Sequence, residues 1–442
     1  MKRKKVNRSY LIIFVVAMVV LTSVFAARVK NEGFTSVMGT VGSSDQTSET
    51  TTETTTEEVT QVHQVSTAVI RSAGDILIHN PVHRAAKKSD GSYDFSNMFT
   101  YVDNLISGCD YFVINLETTL GGTDGKEISG YPLFNSPDEL VDNLEDVGVD
   151  CLLTANNHSY DSFSDGMIRT IKVIEKTKLD FIGTRKTTAD PKFIVKEING
   201  IKFGLICYTY ETKPSSGYDK GLNGMNMNNE YAPLINSFDY SDLDSFYSEF
   251  KEQVKLMKQQ GAEVITAYMH WGDEYRLTEN TYQSSMAQHL CDLGVDVIVG
   301  GHPHVVEPVD LITSTDGKHK TVCVYSTGNI VSNQRRELMN LNTGHTEDGL
   351  IFEMTFSKYS DGTVSFDSVK SIPTWVHLYK ENGKSVYSIV PLSKNLDDKA
   401  SSLGLNKTSN GLSQAKKSYE RTMAIVKEGT DKCNEYLKSA KK

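Results

Sequence analysis

The sequence is short of anything that would hold it together covalently. Its six cysteines stand at 109, 151, 207, 291, 323 and 433, with no C-x-x-C pair and no disulfide-like spacing. That excludes a disulfide scaffold and argues against a cysteine zinc site. Cys151, Cys207 and Cys323 sit in the apolar runs DCLLTA, LICYTY and TVCVYS, where a thiol acts as a small hydrophobe. Basic residues are also scarce: 46 Lys and Arg face 56 Asp and Glu, a formal charge of -10. Phosphate-backbone binding needs clustered cations, so nucleic acid is excluded as a general partner. An anionic substrate held at a local metal site is not. The chain must therefore be stabilised by its core, and 38% hydrophobic residues over 442 positions suffice for one large domain or two smaller ones.

The first thirty residues break this pattern. Five basic residues between Lys2 and Arg8 precede Leu11 to Ala27, which holds no charge. A basic flank before such a run reads as a secretory signal or a membrane anchor with its basic end inside. The run lies at the lower end of the ~17–25 residues needed to span a bilayer. Val24-Phe25-Ala26 resembles a small-residue cleavage site, so a retained anchor and a cleaved leader both stay open. No cysteine follows the run, which argues against a lipoprotein anchor. Residues 31–66, including SSDQTSETTTETTTEEVTQ, have too little apolar content to fold and read as a stalk.

From Thr67 onward, β-rich apolar runs alternate with amphipathic stretches. Strands are expected at STAVIRSA, DYFVINL, VDCLLTA, FIVKEI, IKFGLICYTY, AEVITAYM, VDVIVGG, TVCVYST and LIFEMTF, with Asn199-Gly200 turning a hairpin. Ser136-Pro137-Asp138-Glu139 has the pattern of a capping box before Leu140, Leu144 and Val147. Phe246, Phe250, Val254 and Met257 form a second helical stripe ended by Gly261; Met286, Leu290 and Leu293 form a third. This alternation builds an α/β fold with a largely parallel sheet. The segment from about Gly349 to Val369, turning at Ser360-Asp361-Gly362, is expected to add antiparallel strands to a second sheet. Residues 393–442 read as a peripheral helical extension.

In such sheets ligands bind beyond the carboxyl ends of the strands. Asp75 stands there with His79 four residues on. Asn115 and Glu117 end YFVINLE; Asn156, Asn157 and His158 end DCLLTANNH. His270 ends VITAYMH, His302 and His304 follow DVIVGG, and Asn329 ends VYSTGN. Any one of these alone reads as a cap, a surface charge or a polar turn. Together they place five of the eleven histidines and two carboxylates on one edge. Imidazole and carboxylate suit Mn, Fe or Zn. A bridging carboxylate flanked by histidines can hold two such ions roughly 3.5–4 Å apart and clamp a phosphoryl group.

The ordered motifs G-D, N-L-E, A-N-N-H, H-W-G, G-H-P-H and S-T-G-N resemble the CapA family of poly-γ-glutamate capsule synthesis proteins, within the calcineurin-like metallophosphatase superfamily. The likeness runs from about Thr67 to Leu392 and includes YPLFNSP at 131–137 and TWVHLY at 374–379. It implies a four-layer α/β/β/α sandwich, two mixed sheets flanked by helices. It also implies two divalent metals: Asp75 and His304 on the first, Glu117 bridging, and Asn157, His270 and His302 on the second. His158 would protonate the leaving group. His79 would touch metal or substrate, and Asn115 and Asn329 would orient a ligand or a loop. Against the wider phosphatase pattern, no D-x-H stands at the first strand, Glu117 replaces G-D-x-x-D, and Ser159 follows His158, with Asp161 the nearest carboxylate.

The organisation expected is an anchor or leader at 1–30, a stalk at 31–66, the sandwich at 67–392 and the extension at 393–442. Two functions are open. One is a membrane-anchored extracellular metal hydrolase of capsule or poly-γ-glutamate synthesis. The other is a non-catalytic subunit that holds anionic polymer during export, beside other synthesis proteins.

Overall fold

Along the chain, strands first build half of one sheet, then all of a second, then return to complete the first. The structure is a computed structural model that describes residues 61–339 and 343–440. The anchor at 1–30 and nearly all of the stalk lie outside the described residues. The first strand, β1, spans Gln64–Ile76 and so begins three residues before Thr67.

β1 is followed by helix α1 (Asn80–Ala86), the short helix α2 (Asp103–Ile106), β2 (Tyr111–Leu116), α3 (Glu139–Asp146), β3 (Cys151–Leu153), α4 (Phe163–Ile174) and β4 (Asp180–Ile182). β1 to β4 run parallel in that order. The chain then crosses to the second sheet at β5 (Phe193–Ile198) and β6 (Ile201–Tyr210), an antiparallel hairpin turned at Asn199-Gly200. A two-stranded ribbon follows, β7 (Gly221–Leu222) and β8 (Met225–Asn226). Next come β9 (Ser237–Phe238), α4's counterpart α5 (Leu243–Gln259), β10 (Val264–His270), α6 (Thr281–Asp292), β11 (Val297–Gly301), β12 (Val309–Thr313) and β13 (Lys320–Val324). The second sheet has the order β12-β13-β11-β10-β6-β5, with β9 also on β6.

The chain returns through β14 (Asn329–Val331), β15 (Asp348–Tyr359), β16 (Val364–Glu381) and β17 (Lys384–Pro391), and ends in α7 (Gly411–Ala440). The first sheet reads β17-β16-β15-β1-β2-β3-β4, with β14 also beside β1. The antiparallel segment expected in a second sheet thus belongs to the sheet of β1. Its apolar alternation specifies a buried face but not the strand it pairs with. Asn329 likewise begins a strand rather than ending one.

Three apolar layers result. Ala68, Ile70, Val113 and Leu153 of the first sheet meet Phe203, Leu205, Tyr268 and Val299 of the second. Ile114, Leu152 and Ile351 pack outward under α1 to α4 with Val82, Leu140, Leu144 and Ile174. Ile206, Ile265 and Ile298 pack outward under α5 and α6 with Phe250, Met257, Met286 and Leu290. The molecule is a four-layer, metallophosphatase-like α/β/β/α sandwich. All six cysteines are free, and Cys151, Cys207 and Cys323 are buried.

Two local expectations are corrected. Ser136 does not cap α3: its Oγ meets Thr118 Oγ1 and His83 Nε2, and the N-cap Asp138 makes no capping bond, its carboxylate accepting from Arg169 instead. A complete capping box stands instead at Asn280 and Gln283 of α6. Nor is the C-terminal helix peripheral. Ala415, Val426, Cys433 and Leu437 are buried, and Asn434 bonds both backbone groups of Val369 on β16. Arg421 and Ser418 clasp the buried Asp348 at 2.6–2.8 Å.

Candidate metal centre

The carboxyl ends of β1, β2, β3, β10 and β11 converge, and Gly74 is the residue that lets them. A Cβ at Gly74 would lie 1.7 Å from the carbonyl oxygen of Gly328, so only glycine permits this crossing. The register shifts there, and Asp75 comes to stand opposite Asn115 on β2 and Asn329 on β14. Gly301 is similarly tight, because a Cβ would sit 2.9 Å from Asp75 Oδ1. Beyond it His302 and His304 both have positive φ, 97° and 57°, a costly backbone for non-glycine residues that concentrates at functional sites. The amide of His302 donates to Asp75 Oδ2 at 3.3 Å.

The side chains then fall into two groups that share one carboxylate. Donor atoms of Asp75, Glu117 and His304 lie within 4.8 Å of one another, and so do those of Glu117, His270 and His302. Glu117 Oε1 is 3.5 Å from His270 Nε2 and 3.9 Å from His304 Nε2. His304 Nδ1 is 3.2 Å from Asp75 Oδ2. Asn157 joins the second group through its amide oxygen, 2.8 Å from His270 Nε2. Asn115 ties the carboxylates together: its Nδ2 donates to Asp75 Oδ1 at 2.8 Å and to Glu117 Oε2 at 3.4 Å. Its own oxygen accepts from Asn156 Nδ2 at 3.0 Å.

Electrostatics show what this cluster lacks. Burial, and then the neighbouring Asp75, push the Glu117 carboxyl well above its usual range. Burial would raise Asp75 too, but the hydrogen bond and charge of His304, with His270 and Asn115, outweigh it and hold Asp75 low. Burial pushes His270 down to about 3, and His302 well below its ordinary value. Neutral imidazole is the ligand form of histidine. Glu117 Oε1 and His302 Nδ1 are both buried without a hydrogen-bond partner, although buried polar atoms nearly always have one. Unpartnered buried atoms beside neutral imidazoles and two buried carboxyls are what a divalent cation would satisfy. The residues fit a bound metal.

His158 stands beside this centre and in neither group. Its Nδ1 is 2.6 Å from Asp161 Oδ2, which leaves Nε2 as its free edge. Asn223, at the Asn-Gly tip of the β7–β8 ribbon, brings its amide 3.3 Å from the same Nδ1. Phe134 of YPLFNSP meets His158 edge-on at 4.7 Å and His79 at 5.2 Å. His79 joins neither metal group. Its Nδ1 lies 3.3 Å from both Leu77 O and the amide of Asn333, and burial lowers it to about 4. Asn329 supports the histidine loop: its Oδ1 is 3.1 Å from His304 Nδ1 and its Nδ2 donates to His304 O at 3.2 Å.

Three participants were not assigned roles from the sequence. Asp161 and Asn223 reach His158 only through the fold. Glu274 forms a third group with His302 and His304, and unlike the others it is exposed. The H-W-G-D-E spacing, four residues past His270, was the available signal for it.

A four-layer sandwich carrying a histidine–carboxylate centre at its strand ends defines a metallophosphatase-like protein. Residues 69–334 match the family described as Bacterial capsule synthesis protein PGA_cap, and the chain belongs to that family. It is 26% identical over 264 residues to the PGA biosynthesis protein CapA of Bacillus subtilis (strain 168), covering 59% of this chain and 62% of that protein. It is 26% identical over 266 residues to the capsule biosynthesis protein CapA of Bacillus anthracis, covering 59% of each. The match thus spans less than two thirds of either relative.

Proposed function

We propose that this CapA-like protein works in capsule or poly-γ-glutamate synthesis at the outer face of the membrane, as a metal-dependent hydrolase with a phosphoesterase-like site. One observation carries the reading: Glu117 is shared between two ligand groups, and a His158–Asp161 pair stands beside them. Asp75, His304 and Glu117 would hold one ion, and Glu117, Asn157, His270 and His302 the other. When bound, Mn, Fe or Zn supplies Lewis-acid polarisation of a phosphoryl or acyl oxygen and lowers the pKa of an attacking water. The rest belongs to the chain. Asn115 holds both carboxylates in register, Asn329 fixes the histidine loop, and Phe134 walls one side against water. Asp161 holds the Nδ1 proton of His158, so Nε2 can give a proton to the leaving oxygen.

The basic cluster at Lys2–Arg8 and the apolar run Leu11–Ala27 support a membrane anchor. No helix among the described residues is long and apolar enough to cross a membrane. Other capsule-synthesis proteins and an anionic polymer are the proposed partners.

Elemental analysis of the full chain tests the reading. About two equivalents of metal are expected, with about one lost in His302→Ala and turnover measurable on an activated phosphodiester. A chain that stays metal-free after reconstitution sinks it. Two bound metals with no turnover on any ester would favour the polymer-holding reading instead.

A further inference from the structure

The carboxyl edge of the first sheet continues one strand past the metal ligands. β4 lies parallel to β3, and beyond it the chain turns through Gly183, Thr184 and Arg185. This turn touches the one that leads to Asn157: Gly183 has φ 118°, and a Cβ there would lie 2.5 Å from the amide nitrogen of Ala155.

Arg185 is only 7% exposed. Its Nη1 donates to Asn236 Oδ1 at 2.6 Å and its Nη2 to the carbonyl of Pro233, both neutral acceptors. Its Nε is buried with no hydrogen-bond partner. None of the ion pairs among the described residues includes it. The carboxylates whose fields reach it are Glu249 and Asp190. Glu249 is taken by Lys192 at 2.5 Å and Tyr208 at 2.7 Å, and Asp190 by the amide of Thr187 at 2.8 Å. A buried guanidinium without a counter-charge is costly, and such charges are ordinarily paired.

The same arginine lines a cavity of about 360 Å³ bordered by β4 and the start of β5, where Lys192, Ile194 and Asn236 also contribute; the carboxylates on its wall are each engaged, Glu175 by Lys186, Asp180 by Lys196 and Asp190 by the Thr187 amide. That volume suits a small molecule. We propose that this cavity binds a small oxyanion, a carboxylate or a phosphate, through Arg185. The planar guanidinium matches either group, and a bound anion would supply the missing charge. Lys192 at the wall would add attraction without being the anchor, since Glu249 already holds it. The site is separate from the metal centre and does not depend on the hydrolase reading.

The test is calorimetric titration of the full chain in excess 1,10-phenanthroline, a chelator without an oxyanion that silences the metal centre, with inorganic phosphate in one arm and L-glutamate in the other. One equivalent of one anion is expected to bind, and the arm that responds identifies the oxyanion. Arg185→Lys keeps the charge but loses the planar fork, and should weaken binding at least tenfold. Arg185 also props Asn236 and Pro233, so Ile194→Trp serves as a second variant that fills the cavity and leaves the arginine in place. It should abolish the signal while the melting curve stays cooperative. No binding of either anion, or binding unchanged in Ile194→Trp, overturns the proposal.

Discussion

Asp161 Oδ2 lies 2.6 Å from His158 Nδ1, with both side chains almost fully withdrawn from solvent. The carboxylate that the motif lacks at position 159 is thus delivered from position 161, by a turn that also brings Asp161 Oδ2 to the amide of Phe134 at 2.6 Å. One oxygen holds both the proton-bearing ring and the aromatic wall beside it.

His158→Asn should cut turnover on an activated phosphodiester by ~10²–10⁴-fold, the usual contribution of a general acid. Metal content and melting temperature should stay near wild type, because His158 lies in neither ligand group. Asp161→Asn should lower kcat with metal content retained, since the ring loses its fixed tautomer. Loss of metal in His158→Asn would make His158 a ligand and overturn its role.

Glu274 is placed by backbone. Trp271 N–H donates to Gly301 O at 3.1 Å and Tyr275 N–H to Pro303 O at 2.8 Å, which registers the H-W-G-D-E-Y segment against the histidine loop. A carboxylate held near His302 and His304 on the exposed side can add a ligand to a centre short of them. Glu274→Gln should weaken metal affinity by about tenfold or more. The melting temperature in chelator should be unchanged, because the side chain is exposed. Equal metal affinity in both proteins would remove Glu274 from the centre.

Glu307, three residues past His304, is a buried carboxyl that accepts from Gln283 Nε2 at 2.7 Å. Burial raises its pKa from 4.5 to about 8. A raised folded pKa means the neutral acid is favoured in the fold. Its contribution is therefore complete below pH ~4.5, and is lost progressively up to about 8. The effect is of the order of a few kcal/mol. Glu307→Gln should flatten the pH dependence of urea unfolding between these limits, measured in chelator. An unchanged slope would show that Glu307 ionises freely in the folded protein.

Gly429 tests the docking of α7. A Cβ there would lie 1.6 Å from the carbonyl oxygen of Val309 on β12, so the helix crosses that strand at backbone contact. Gly429→Ala should cost about 1–3 kcal/mol in urea unfolding through overpacking, despite the better helix propensity of alanine. A neutral or stabilising result would mean that the helix does not sit there.

Much of the centre was legible because the rule behind it is local. Runs such as DVIVGG and VITAYM announce buried strands by composition, and parallel strands joined by helices put their carboxyl ends on one edge. Asp75, Glu117, Asn157, His270, His302 and His304 could therefore be gathered before any distance was known. The stripes of α5 and α6 and the Asn199-Gly200 turn were equally local. What the sequence could not carry was pairing between distant segments. Alternation in LIFEMTF marks one buried face but not β1 as its neighbour, and the charged surface of α7 hides the stripe that docks on two sheets. Asp161 reaching His158, Glu274 lying along the histidine loop and Arg185 lining its cavity arise from the placement of turns. Turns have no periodicity to read, and their side-chain directions are set by backbone contacts such as Gly74 against Gly328, which exist only once both sheets have packed.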